Sequence, residues 1–127
     1  MKVKINKILS MGQLYESLKQ KILPVQTTYK ISKLFTAIEE GSKFYAERLQ
    51  QLIENYGIKK ENGQYQTMED GSYEIKPEFI NEVNHQQKEL LNFEIDLPDI
   101  TFTLDELEKV ELSVEDFNQL LPFIKEQ

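Results

Sequence analysis

The sequence predicts an α+β fold that is mainly helical, with one long central helix as its main element. Apolar residues recur at helical spacing from Pro24 to Tyr56, over a quarter of a chain of 127 residues. A shorter helical pattern lies on each side, and strand-forming residues occur only in short pieces. These observations predict a long helix with two shorter antiparallel helices, a small β-hairpin and a short C-terminal strand/helix segment. At this length we expect a single domain, residues 1–127.

The N-terminal segment predicts the first of the shorter helices. Residues 2–5 alternate in polarity and predict either a short strand or the lead-in to the helix. Between Asn6 and Lys21 the spacing of apolar residues predicts one helix with one apolar face. Its positions are Ile8, Met11, Tyr15, Leu18 and Ile22. Pro24 ends this helix, because proline disfavours helical dihedral angles at the preceding residue and fits the first turn of a new helix.

The central helix carries an apolar seam whose spacing is typical of a coiled coil. Its positions are Ile31, Phe35, Ile38, Ser42, Tyr45, Leu49, Leu52 and Tyr56. Because a single helix cannot cover such a seam, we expect the shorter helices to pack against it. Gly41 predicts the close approach of another element in the middle of the helix. Gly57 predicts a C-cap in the left-handed conformation.

Residues 58–92 predict a hairpin followed by the third helix. Asn62–Gly63 and Asp70–Gly71 are turn signals, and we place Asp70–Gly71 at the turn of a hairpin at the end of the central helix. Pro77 opens a helix that runs to about Asn92. The first and third helices are predicted to fold back over the two halves of the central helix and to meet near Gly41. No internal repeat is identified.

The C-terminal segment is predicted to be a mixture of short elements. Residues 93–102 alternate around Pro98 and predict either two short strands or one extended segment. A turn of helix and a strand at Val110–Leu112 follow. Ser113 then predicts an N-cap, with Asp116 three residues further on, for a last helix that runs from Val114 to about Leu121.

Charge is distributed unevenly along a chain of net charge -7. Residues 1–60 carry 11 Lys+Arg and 5 Asp+Glu, which gives 11 − 5 = +6, and residues 61–127 carry 4 and 17, which gives 4 − 17 = −13. One interpretation is that the two halves attract each other within the fold or between subunits. The other is that the acidic half faces a basic partner and acts as a nucleic-acid mimic. Direct nucleic-acid binding is not expected of a chain whose only arginine is Arg48.

The residues that usually perform catalysis do not form a pattern in this sequence. There is no cysteine, His85 is the only histidine, and no phosphate-binding, calcium-binding or nucleophile motif is present. We therefore predict no enzymatic activity, no cofactor and no metal site. Arg48 lies beside the seam, and we expect it to form a structural ion pair with Glu82 or Glu89 on the third helix.

The acidic C-terminal half is the candidate binding surface. Apolar residues alternate there with carboxylates, a combination in which apolar anchors supply affinity and charges steer a basic partner. The candidate protein-binding residues are Asp96, Asp99, Phe102, Asp105, Glu106 and Glu108. The alternative is that the apolar residues cap the helices and the carboxylates only keep the surface soluble.

Five segments carry a resemblance that covers nearly the whole chain. They are KILPVQTTYKISKLFTAIE, AERLQQLIENYG, KENGQY, FINEVNHQQKELLNFEIDL and LSVEDFNQLLPFIKEQ. In order and spacing the chain resembles a family of small phage and prophage proteins of uncharacterised function. The resemblance implies a viral setting in a bacterial host and brings no catalytic residues.

These observations predict a small phage-encoded protein that binds a host or phage protein stoichiometrically, such as a host-defence component. An accessory of virion structure or assembly is the alternative, and an acidic nucleic-acid mimic is a further one. The expected location is the host cytoplasm, or the virion for the alternative. We expect no membrane association, since no run approaches the roughly 18 apolar residues of a spanning helix. Assembly into homo-oligomers is compatible with the charge asymmetry.

Overall fold

The computed structural model describes residues 1–125 and confirms an α+β fold that is mainly helical. Its helices are α1 (Ile5–Ser10), α2 (Gly12–Leu18), α3 (Val25–Tyr56), α4 (Ile80–Asn92), α5 (Leu104–Glu108) and α6 (Val114–Leu120). Its strands are β1 (Lys2–Lys4), β2 (Glu94–Asp96), β3 (Phe102–Thr103) and β4 (Ile124–Lys125). Short 3-10 turns at Pro77–Phe79 and Leu121–Phe123 precede α4 and β4.

The predicted central helix is confirmed as α3, which begins directly after Pro24 and runs through Gly41 without a break. The two halves of α3 are buried to different extents. The first half supplies Ile31, Leu34, Phe35 and Ile38 to the main core, together with residues of α1, α2 and the C-terminal segment. The second half packs mainly against α4 and, apart from Gly41 at the midpoint, buries only Leu52 and Ile53.

The first predicted helix is interrupted at Met11, so the prediction of one helix from Asn6 to Lys21 is wrong in this respect. The hydroxyl of Ser10 donates to the carbonyl oxygen of Lys7 at 2.6 Å. The amide of Met11 donates to the carbonyl of Ile8 at 3.1 Å, one residue short of the helical partner. A serine side chain that competes for a backbone carbonyl favours such a tightened turn. Of the predicted apolar face, Ile8, Met11 and Leu18 are buried, whereas Tyr15 and Ile22 are exposed, so the prediction is wrong for those two positions.

The close approach predicted at Gly41 is present, but the elements that meet there are α1 and β2 rather than the first and third helices. A Cβ atom at this position would lie 2.5 Å from Ile95 Cδ1 of β2 and 3.4 Å from Ile8 Cδ1 of α1. The antiparallel pair of β1 and β2 lies here, with Val3 opposite Ile95. The segment after α4 is therefore held against both the N-terminus and the middle of α3.

The C-terminal segment contains two short strands, β2 and β3, and β3 pairs in parallel with β4. The predicted strand at Val110–Leu112 is wrong. The amide of Val110 donates to the carbonyl of Leu107 at 3.0 Å, which continues α5 as a turn. The predicted N-cap of α6 is confirmed, since Ser113 Oγ accepts from the amide of Asp116 at 3.0 Å.

Residues 57–76 form a closed ring of three extended pieces, which we call the β-ring. The amide of Ile58 donates to the carbonyl of Glu74, that of Glu74 to Gln66, and that of Gln66 to Ile58, at 2.7–3.0 Å. Each piece therefore pairs with both others. The predicted hairpin at Asp70–Gly71 is present, because Thr67 pairs with Tyr73 across that turn.

An eight-residue repeat that the sequence analysis missed underlies the β-ring. ENGQYQ at 61–66 matches EDGSYE at 69–74. Both turns place glycine at positive φ, 85° at Gly63 and 88° at Gly71, and in both the residue before glycine accepts from the amide two positions further on at 3.0 Å. Two equivalent turns at this spacing return the chain to its starting point and so close the ring.

Gly57 joins α3 to the β-ring, and its predicted left-handed conformation is wrong. Its dihedral angles are extended, φ -73° and ψ 155°, and it pairs with Ile75. Glycine is needed here because of space. A Cβ atom would lie 2.6 Å from the carbonyl oxygen of Ile53 and 3.0 Å from the ring of Tyr65.

We expect Gly57→Ala to lower the free energy of unfolding by about 1–3 kcal/mol, the cost of forcing extra volume into a packed site. The Ile53 carbonyl belongs to the helix backbone and cannot move aside as a side chain can. Gly12→Ala is the matched control, because nothing lies within 4 Å of the added methyl group. Denaturant unfolding of both variants checks this, and equal stability of the two would contradict it.

Candidate protein-binding surface

Phe102 is part of the core and cannot be a binding residue, so this part of the sequence prediction is wrong. Its side chain is fully buried in β3, and the neighbouring apolar positions Leu97 and Ile100 are also buried. The reason is that this segment crosses the first half of α3 and needs apolar side chains to cover it. Most of the apolar residues expected to anchor a partner thus serve the fold.

Glu106 is also a structural residue. Lys30 Nζ lies 2.8 and 2.9 Å from its two carboxylate oxygens. The same carboxylate and the side chain of Thr103 form a capping box at the start of α5. The hydrogen bond from Lys30 holds the pKa of Glu106 below its ordinary value of 4.5, partial burial acts against this, and Thr103 adds to the lowering. Glu106 is therefore committed to holding α5 against α3.

Asp96 and Asp99 are exposed but lie beside the N-terminus. Asp96 of β2 is opposite Lys2 of β1. The amino group of Met1 lies 3.2 Å from Asp99 Oδ1 and 3.1 Å from the carbonyl oxygen of Leu97. These carboxylates partly neutralise the N-terminal charges of the same chain.

Lysines of the first half bind the C-terminal segment directly. Lys7 Nζ donates to Gln119 Oε1 at 2.7 Å, Lys21 Nζ donates to the carbonyl oxygen of Glu111, and Lys30 reaches Glu106. Only the contact of Lys30 with Glu106 joins opposite charges among these three, and the amino group of Met1 with Asp99 is the second such pair between the halves within residues 1–125. A general attraction between the two halves stays a prediction.

The groove between α5 and α6, which we call the α5–α6 groove, has a volume of about 440 Å³. Its lining is mostly apolar and consists of Leu104, Leu107, Glu108, Val110, Leu112, Ser113, Val114 and Phe117. Leu107 and Val110 are buried beneath it, whereas Leu104 is 48% exposed and Val114 79% exposed. Apolar side chains exposed at the edge of a depression are what a protein-binding site requires.

Glu108 lines the α5–α6 groove, and three further carboxylates are adjacent in sequence to residues that line it. Asp105, Glu108, Glu111 and Glu115 are exposed, and among residues 1–125 none of them is in an ion pair. Two of the predicted binding residues, Asp105 and Glu108, are therefore at a surface suited to binding. A partner that fits this groove needs an apolar stripe flanked by basic residues.

A second exposed apolar surface adjoins the first, at the start of α3. This α3 corner consists of Ile22, which is 101% exposed, Val25 at 85%, Tyr29 at 61%, and Lys33. Lys33 Nζ lies 5.3 Å from the centre of the Tyr29 ring, so the corner carries a positive charge over an aromatic face. A shallow cleft lined by Val25, Glu106 and Lys109 connects the corner with α5.

The predicted ion pair of Arg48 with Glu82 or Glu89 is absent from the described residues. All three side chains line one open cleft of about 580 Å³ between α3 and α4. Arg48 lies over the ring of Phe44 at 5.4 Å and donates to Gln51 Oε1 at 3.3 Å. Glu82 accepts from Gln86 and Glu89 contacts His85, each one turn along α4. Local partners on the same helix thus replace the expected contact across the cleft.

No group of three or more His, Asp or Glu side chains among residues 1–125 is arranged to hold a metal ion. None of the helices in that range combines the length and apolar composition of a membrane span. No family model matches the sequence, and neither the curated proteins nor the solved structures yield a match.

We expect Glu106→Gln to lower the free energy of unfolding at neutral pH by about 1 kcal/mol through loss of the ion pair with Lys30, because glutamine can keep the capping box. Because the folded pKa of Glu106 is lowered, its stabilisation is present above 4.5 and is lost as the pH falls through the folded pKa. The difference between parent and variant should therefore shrink in acid.

The control for this pH dependence is Glu108→Gln, which changes an exposed carboxylate on the same helix without an ion-pair partner. The measurement is the thermal unfolding of all three proteins between pH 7 and about pH 3, because this range includes the ordinary pKa of a carboxyl group. A constant difference between the parent and Glu106→Gln throughout would contradict the assignment.

Proposed function

We propose that this chain is a phage-encoded protein that binds a host or phage protein stoichiometrically through the α5–α6 groove, without catalysing a reaction. The viral setting is supported by the sequence resemblance. The binding role is supported by one observation above all, an apolar groove bordered by unpaired carboxylates beside residues whose charges are already neutralised. Its place of action is the host cytoplasm.

The chemistry of the groove defines the partner as a basic amphipathic segment. A helix with leucine-like residues on one face fills the space above Leu107 and Val110. Lysine or arginine on the flanks of that helix faces Asp105 and Glu108. The carboxylates raise the rate of association, and the apolar contacts slow dissociation.

An accessory of virion assembly is the second candidate function. The α3 corner favours it, since a second exposed apolar surface next to the groove provides for contacts with more than one copy or partner. In that case the same groove would bind a neighbouring subunit of the assembly.

We expect the double variant Asp105→Lys/Glu108→Lys to slow capture of a basic amphipathic peptide by about tenfold or more at low salt. The probe is a labelled helical peptide with leucines on one face and lysines on the other, and stopped-flow anisotropy gives the association rate. The loss should diminish as salt rises, because screening weakens the interaction between exposed charges.

The matched control is Glu39→Lys/Glu40→Lys, which reverses the same number of exposed carboxylates on α3. Val114→Asp tests the apolar contacts separately from the charges, because it removes an exposed apolar anchor. It should leave α6 folded, since an acidic residue in the first turn stabilises a helix. It should speed dissociation. If the groove variants capture the peptide as fast as the parent and the control, the proposal is wrong. In infected cells, the partner retained by the tagged parent and the control should be lost from both groove variants.

A further inference from the structure

Two surfaces of complementary character lie side by side at the end of the molecule that contains the start of α3. The α5–α6 groove is apolar with an acidic border, and the α3 corner is apolar with the cation of Lys33. Ile22 and Val25 of the corner are almost completely exposed. Single exposed apolar residues are common on protein surfaces, whereas apolar residues exposed next to one another mark a contact site for another molecule.

The two surfaces are neighbours because the chain joins them directly. Lys21, the residue before Ile22, donates to the carbonyl oxygen of Glu111, which precedes the groove residues Leu112 and Val114. On the other side, the cleft formed by Val25, Glu106 and Lys109 leads from the corner to α5. The corner and the groove thus flank α5 on its two sides, and we call the surface that spans the corner, α5 and the groove one face.

We propose that this face is the interface of a two-fold homodimer, in which the α3 corner of each copy fills the α5–α6 groove of the other. The inference rests on the proposed function in that it assigns an occupant to the same groove. A two-fold axis brings the same face of both copies together, so that a contact of residue i with residue j always occurs twice. A face with a basic apolar part beside an acidic apolar part is complementary to itself under this symmetry.

The occupant fits the groove in its chemistry. Ile22 and Val25 supply the apolar anchors, and Val25, in the first turn of α3, is followed one and two turns later on the same side by Tyr29 and Lys33. This gives the apolar stripe and the adjacent positive charge that the groove requires. Lys33 has no ion-pair partner among residues 1–125, so its charge is available to Glu108 of the second copy.

Dimerisation of this kind regulates the binding of another protein. Since the second copy and the outside partner use the same groove, they compete for it. The dimer is therefore a stored form with its groove covered. A partner that binds more tightly than the second copy separates the dimer into monomers.

The test uses two single charge reversals and their mixture. Lys33→Glu and Glu108→Lys should each weaken self-association by about tenfold or more, because every like-charge contact occurs twice in the dimer. When the two variants are mixed, both contacts of the mixed dimer again join opposite charges. The mixture should recover the dimer of the parent, as measured by sedimentation equilibrium over a range of concentrations.

The matched controls are Lys43→Glu and Glu39→Lys, which reverse exposed charges in α3 away from this face. A parent that stays monomeric over the whole range, single variants that associate like the parent, or a mixture that does not recover would each overturn the dimer. The labelled basic peptide distinguishes this outcome from failure of the proposed function. It should bind the Lys33→Glu monomer, whose groove is unchanged, and an inability to bind there would refute the groove as a docking site.

Discussion

The apolar stripe of a 32-residue helix must be covered along its length, and the other elements of this protein are placed by that requirement. Three different segments cover α3. The N-terminal helices and the C-terminal segment bury its first half, while α4 lies along the second. The C-terminal segment is remote in sequence from the residues it covers. Its position is fixed by contacts of high specificity, above all the ion pair of Lys30 with Glu106 and the capping box that orients the same carboxylate.

The carboxylates of the acidic half of the chain fall into two classes, those with a cationic partner in the fold and those without one. Carboxylates near α3 and the N-terminus meet cations of the first half, as Glu106 meets Lys30 and Asp99 meets the amino group of Met1. The carboxylates on the segments that form the α5–α6 groove make no ion pair within residues 1–125, although Lys21 Nζ donates to the backbone carbonyl of Glu111. The net negative charge is therefore concentrated on a face that also exposes Leu104 and Val114.

The sequence was sufficient for the elements whose signals are local. The uninterrupted spacing after Pro24 predicted α3, Ser113 predicted the cap of α6, and the Asp-Gly pair predicted a turn. The errors concern contacts between distant segments. Phe102 stands among carboxylates in the sequence, yet its burial depends on α3, about seventy residues earlier. Arg48 and Glu82 each form a hydrogen bond with a residue one turn away on the same helix. The spacing of residues in the sequence does not show whether such a local partner or one across the cleft is preferred. For the groove, Val114 and Phe117 had been interpreted only as parts of a helix, because periodicity shows which residues share a face and does not show which face remains uncovered.

The β-ring makes the far end of α3 less suited to binding a partner than the α3 corner and the neighbouring groove. An open hairpin there would present unpaired strand edges, which are common sites of strand addition by partners. The repeat prevents this, since each of the three pieces pairs with both others and the donors of Ile58, Gln66 and Glu74 are consumed within the ring. Its turns are satisfied locally as well, because Asp70 accepts from both the amide and the hydroxyl of Ser72. The ring thus terminates the second half of α3 with an end whose backbone is hydrogen-bonded. The most exposed apolar side chains, Ile22, Val25 and Val114, lie at the opposite end of the helix together with unpaired charge of both signs.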